Sequence, residues 1–132
     1  MRSGKGGPYG AVVVKDEEII AKGCNEVTSS NDPTAHAELI AIREACKVLN
    51  SFQLTGCELY TSCEPCPMCL GAILWAKPDR VYYANTKDDA AEFGFKSLAI
   101  YQEYGLPLMN RQIPMLQLMR YQALATFQEW GE

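Results

Sequence analysis

The chain has 132 residues, 48% of them apolar, and a formal net charge of −4 at pH 7. That length and apolar content predict a single domain over residues 1–132 with a core large enough to fold without disulfides. The acidic balance excludes a uniformly basic surface and argues against nucleic acid as a partner. No run of 18 apolar residues and no secretory leader is present, so neither a membrane span nor export is expected. The six cysteines are not spaced as a disulfide framework. Cys63, Cys66 and Cys69 form one run, and Cys24, Cys46 and Cys57 are scattered. A reducing cytoplasm is the simplest location.

In chain order, residues 1–7 read as a Gly-rich basic loop. The Val-rich segment 10–15 predicts a strand, and a turn at Asp16-Glu17 leads to a second strand over 18–24, making a hairpin. Residues 25–33 are polar loop, ending in Asp32-Pro33-Thr34, a helix-start signal. A helix follows over 35–50, with Leu39, Ile42, Cys46 and Leu49 at helical spacing and Arg43, Glu44 and Lys47 on the wet side. A short strand over 58–61 runs into the cysteine cluster. Residues 67–76 are almost wholly apolar and predict a buried helix. Further on come a strand over 80–84, a short acidic helix over 88–93 and an ambiguous stretch around 101–110. A possible fifth strand over 113–118 precedes a closing helix that runs to Trp130. Alternating strands and helices predict an α/β layer architecture.

The chemistry gathers around one histidine. His36 is the sole histidine of the chain and stands in His36-Ala37-Glu38; Pro65-Cys66-Pro67-Met68-Cys69 follows thirty positions on. Cys66 and Cys69 are three apart at a helix start, so both sulfurs can reach one metal. A helix N-terminus also lowers thiol pKa. His36 adds a nitrogen from the first turn of the earlier helix. Three protein ligands leave the fourth position of a tetrahedral zinc for water, the arrangement of a catalytic site. Glu38 points another way from His36 and can reach that water without joining the metal. H-x-E with P-C-x-x-C is the signature of zinc nucleobase deaminases. The predicted reaction is attack of hydroxide on a ring carbon bearing an amine, with Glu38 moving the proton and ammonia leaving.

Three plainer readings use the same residues. The C-x-x-C pair alone could be a redox dithiol, which Pro67-Met68 and the extra Cys63 disfavour. An iron–sulfur motif lacks its fourth cysteine. A closed structural zinc site of Cys63, Cys66, Cys69 and His36 is the strongest rival, but it has no use for a glutamate two residues after the histidine. In the catalytic reading Cys63 faces away as a small core residue.

Pro33-Thr34-Ala35-His36-Ala37-Glu38 and Thr61-Ser62-Cys63-Glu64-Pro65-Cys66-Pro67-Met68-Cys69-Leu70-Gly71-Ala72 resemble the cytidine-deaminase-like superfamily. More narrowly they resemble the bacterial guanine deaminases and the related plant guanosine deaminases. The resemblance extends over nearly the whole chain, through Gly6-Gly7-Pro8-Tyr9-Gly10-Ala11 and Asp89-Ala90-Ala91-Glu92-Phe93-Gly94-Phe95. It implies a three-layer α/β/α fold with a mixed, roughly five-stranded central sheet and one zinc ion per subunit. It also implies a homodimer, in which the C-terminal segment is exchanged and helps close the partner's site. By motif match, Asn25 contacts the purine and the backbone at Ala37 binds near the reacting end; turn preferences alone would make Asn25 an ordinary loop residue.

The chain departs from that pattern in three places. It begins almost at the Gly-Gly-Pro segment, where the family usually has a preceding helix, so truncation or cover from another subunit is expected. Lys96-Ser97 stand where the guanine-specific enzymes carry two aspartates, and a carboxylate accepts hydrogen bonds that lysine cannot. It ends at Glu132, short of the family's closing aromatic, a place that Trp130 or Tyr121 could take. The resulting reading is hydrolytic deamination of a purine base or nucleoside, guanine first. The alternatives are adenosine in tRNA, for which Arg111, Arg120 and Lys96 could supply a basic patch, or cytosine or cytidine. A reading outside enzymology is an inactive, zinc-stabilised interaction module.

Overall fold

A computed structural model describes residues 6–131. Of the loop expected over 1–7, residues 1–5 therefore lie outside the described residues. The chain divides into two compact units, the second beginning at Gln102.

In the first unit, β1 (Gly10–Lys15) and β2 (Glu18–Cys24) form the expected hairpin. Asp16 and Glu17 both take positive φ, 50° and 65°, as a two-residue turn of the hairpin type requires. A register shift between Val13 and Val14 bulges the pair. β3 (Cys57–Cys63) pairs antiparallel with β1, and β4 (Arg80–Asn85) pairs parallel with β3. The sheet order is β2-β1-β3-β4, and the parallel step is bridged by a helix, as it must be.

The sheet is mixed and flanked by helices, as expected, but it has four strands among the described residues rather than five. Residues 113–118, the expected fifth strand, form no strand and lie in the second unit. Pro114 lacks the N–H that a ladder needs, and the apolar side chains there are exposed rather than alternating inward.

α2 (Ala37–Leu49) lies across β1 and β2. Its Ala37, Ala41, Ile42 and Ala45 pack with Val13 and Leu59 of the sheet and with Leu54 to form the core. Short side chains let the helix approach closely, and β2 answers with Gly23. A Cβ there would overlap the Ala37 carbonyl oxygen and lie 2.7 Å from the Ala41 nitrogen. Gly23→Ala is therefore expected to cost about 1–3 kcal/mol. It should also weaken metal binding, because the helix start it displaces carries His36 and Glu38. A denaturant midpoint and a zinc titration on the variant check both effects.

α3 (Pro67–Ala76) has the limits its sequence predicts, with Pro67 at the first helical position. It is not buried all round. Cys69, Ile73 and Ala76 face inward while Leu70, Leu74 and Trp75 are exposed, Trp75 at 82%. Uniform apolarity hid the division, because a helix without a polar side carries no amphipathic signal.

α4 (Lys87–Glu92) starts with a capping box in which Thr86 and Asp89 exchange backbone bonds. α1 (Val27–Ser30) is one turn inside the expected loop. α5 (Ser97–Tyr104), a 3₁₀ turn over Leu108–Asn110 and α6 (Arg120–Gly131) complete the chain. Much of α5 and the 3₁₀ turn fall in the ambiguous stretch, where apolar and polar residues follow no clear period. Among the described residues no helix is long and apolar enough to cross a membrane.

Candidate metal centre and active site

His36 is the N-cap of α2, with extended backbone (ψ 154°), one residue before the helix rather than in its first turn. The loop before it is tied by Asp32, whose carboxylate accepts from the Thr34 amide at 2.8 Å and hydroxyl at 2.6 Å. Cys66 caps α3 in the same way, and Cys69 sits in that helix's first turn. The two helix starts meet so that His36 Nδ1 lies 3.6 Å from Cys66 Sγ and 3.4 Å from Cys69 Sγ. All three donor atoms fall within 4.8 Å of one another, the one such group of metal-binding side chains among the described residues.

A tetrahedral zinc with bonds of about 2.0 Å to nitrogen and 2.3 Å to sulfur places those atoms about 3.6 Å apart. The donor set therefore fits zinc. Its electrostatics point the same way. The Cys69 thiol gives its hydrogen bond to Cys66, which pushes Cys66 well below the ordinary thiol range, to about 4, with His36 adding to the effect and burial opposing it. Cys69, as the donor and a buried group, is pushed up. Hydrogen bonding to Cys66 raises His36 against the effect of burial. Three groups are thus sharing protons at a point where a dication would release them.

Cys63 is outside this cluster. It is buried and aims its thiol at the Thr86 carbonyl, 3.8 Å away, so the four-ligand site is not assembled. Glu38, at 6% exposure, is one of two buried polar residues among the described residues. Burial lifts its carboxyl above the usual range, while its own backbone N–H and the Cys69 thiol pull the other way.

A cavity of about 510 Å³ opens over these groups, with His36, Glu38 and Cys66 on its wall. Asn25 lines it as well. Its Oδ1 accepts from the Val27 amide at 3.1 Å and the Gly7 amide at 3.4 Å, so the loop role and the wall position coexist. Ala37 is fully buried and does not line the cavity; its amide, at the helix start, has no partner within the helix. Tyr9 and Phe95, with ring centroids 5.3 Å apart at 72°, supply an aromatic side. Lys96 and Ser97 are also on the wall.

Sequence reasoning missed how the metal loop is braced. Glu64 accepts from the Lys87 amide at 3.0 Å and pairs with its ammonium at 3.4 Å. That ammonium lies over the Tyr101 ring, and the Tyr101 hydroxyl donates to the Pro65 carbonyl. Glu64 stood in a quoted motif without a role, and Tyr101 gave no local signal.

Residues 2–85 match the family model described as cytidine and deoxycytidylate deaminase zinc-binding region. The chain belongs to this zinc-binding deaminase family. Within it, the chain is 58% identical over 130 residues to the guanine deaminase of Bacillus subtilis (strain 168), covering 98% of this chain and 83% of that one. The X-ray structure of the Bacillus subtilis enzyme superposes with a TM-score of 0.95 over the same shares. A solved guanine deaminase from Nitrosomonas europaea, 29% identical, gives 0.67 over 97% of this chain and 75% of its own. The tRNA-specific adenosine deaminase of Aquifex aeolicus is 49% identical over 77 residues, 58% of this chain and 51% of that relative. The chain is thus a family member with the fold of the guanine deaminases.

Proposed function

We propose that the chain is a guanine deaminase converting guanine and water to xanthine and ammonia, working as a single deaminase domain. The observation that carries this reading is the meeting of His36, Cys66 and Cys69 beside the buried Glu38, under a cavity of about 510 Å³ that has room for a purine. The long 58% match to an enzyme of that name supports the substrate.

In this reading His36, Cys66 and Cys69 hold the zinc. Bound there, zinc supplies Lewis acidity that brings the pKa of water down to about 7. Glu38 takes the proton of the attacking water and delivers it first to the ring nitrogen and then to the departing amine. Burial raises its carboxyl above the usual carboxylate range, the direction that suits a group which must both accept and release a proton. Asn25, with its oxygen engaged by the loop, presents its NH₂ to an acceptor on the purine. In this reading the Ala37 backbone amide, which has no partner within its helix, binds near the reacting end. Tyr9 and Phe95 flank the flat ring.

Ammonia release from zinc-loaded protein tests the substrate, with guanine, guanosine, adenine, adenosine, cytosine, cytidine and a tRNA anticodon stem as the panel. Turnover of guanine alone is expected; turnover confined to the tRNA or to a pyrimidine overturns the assignment.

The same reading makes the protein a cytoplasmic homodimer with exchanged C-terminal segments. Supporting it are the exposed Leu70, Leu74 and Trp75 on α3, and Leu116, Leu118 and Phe127 in the second unit. Apolar surface of this extent is normally covered by a partner chain. A monomeric mass in light scattering would refute it.

A further inference from the structure

Glu38 and the metal ligands account for one end of the cavity. On the rest of its polar wall, the carboxylate and amide oxygens are engaged by protein donors. The Glu64 carboxylate is taken by the amide and ammonium of Lys87. The Asn25 oxygen is taken by the amides of Val27 and Gly7. What remains is the Lys96 ammonium, the Asn25 NH₂ and the hydroxyls of Tyr9, Thr28 and Ser97, which can donate or accept. Lysine offers three donors and no acceptor. Among the described residues the one ion pair is Lys87 with Glu64, so Lys96 is not spent on a carboxylate.

The segment carrying Lys96 is fixed on both sides. Before it, the Phe95 ring meets Tyr9 edge to face. After it, Tyr101 donates to the carbonyl of Pro65, the residue next to Cys66. These two contacts fix the backbone on either side of Lys96, whose exposed side chain lies on the cavity wall.

We propose that Lys96 is a specificity-determining residue, donating from its ammonium to the C6 oxygen and N7 of the bound purine so that the pocket selects 6-oxopurines over 6-aminopurines. The assignment rests on the purine-deaminase reading above. When the reacting carbon is C2, the C6 substituent and N7 lie on the opposite side of the ring. A 6-oxopurine presents two acceptors there, and lysine is a common partner for that pair. A 6-aminopurine replaces the oxygen with an NH₂ donor, which opposes the ammonium donor to donor.

The test compares the zinc-loaded protein with Lys96→Met and Lys96→Arg, using guanine and 2,6-diaminopurine, which share the 2-amino group and differ at C6. The readout is the ratio of kcat/KM for the two, or of inhibition constants if diaminopurine is not turned over. A general loss of folding or zinc leaves this ratio unmoved. Lys96→Met is expected to lower the preference for guanine by about ten- to hundredfold, and Lys96→Arg to keep most of it, since arginine donates to the same two acceptors. An unchanged ratio in Lys96→Met overturns the role of Lys96 alone. No ammonia from guanine with the parent protein overturns both this role and the substrate reading.

Discussion

Glu38→Gln is expected to keep one zinc per chain and to lose turnover by about 10²- to 10⁴-fold, the usual worth of a positioned acid–base group. Glutamine has nearly the shape of glutamate, so the buried site that holds Glu38 at 6% exposure needs no repacking. What it lacks is the ability to accept a proton from water and pass it on. The metal should stay because the donors that fit it are Nδ1 of His36 and the sulfurs of Cys66 and Cys69. Metal analysis beside an ammonia assay separates the two properties. A zinc-loaded Glu38→Gln protein with full activity removes Glu38 from the chemistry and returns the site to the structural class.

The metal site was legible because its signal is chemical and local. A lone histidine, a glutamate two residues on and a Cys-x-x-Cys pair specify donor types at fixed separations, and the two helix starts bring them within contact. The hairpin was legible for a similar reason, since its two-residue turn and Val-rich strand are short-range features. Three things were hidden. The turn over Val27–Ser30 depends on Asn25 accepting from the Val27 amide, one option among several for a polar loop. The unpaired stretch at 113–118 has strand-like residues but no neighbour to pair with, and pairing is a long-range property. The exposed side of α3 depends on what the helix lies against, which its sequence alone does not encode. In the site, Lys96 and Ser97 stood out as departures from a family pattern. That they share a wall with Glu38 is a property of the fold, which no spacing in the sequence announces.

The second large effect expected is at Cys66. Cys66→Ala should abolish zinc binding and ammonia release together while the protein still folds, whereas Cys63→Ser should keep its zinc. Removing one of three protein donors is more severe than disturbing an outer partner, which already costs about 10- to 100-fold in affinity. The fold survives because the core is built elsewhere, from Val13, Leu54 and Leu59 with the small residues of α2, and Cys66 is a half-buried helix cap outside it. With zinc at about a hundred times its dissociation constant, the parent protein gains about 2.7 kcal/mol that Cys66→Ala cannot. The variant should therefore melt several degrees lower, with a cooperative transition still present. Cys63 points its thiol to the Thr86 carbonyl, a bond that a serine hydroxyl can also make. Zinc stoichiometry and thermal melts on the two variants decide between the three-donor site and the four-donor rival. Zinc lost from Cys63→Ser would restore the closed structural centre, and with it a protein that holds metal for shape rather than for chemistry.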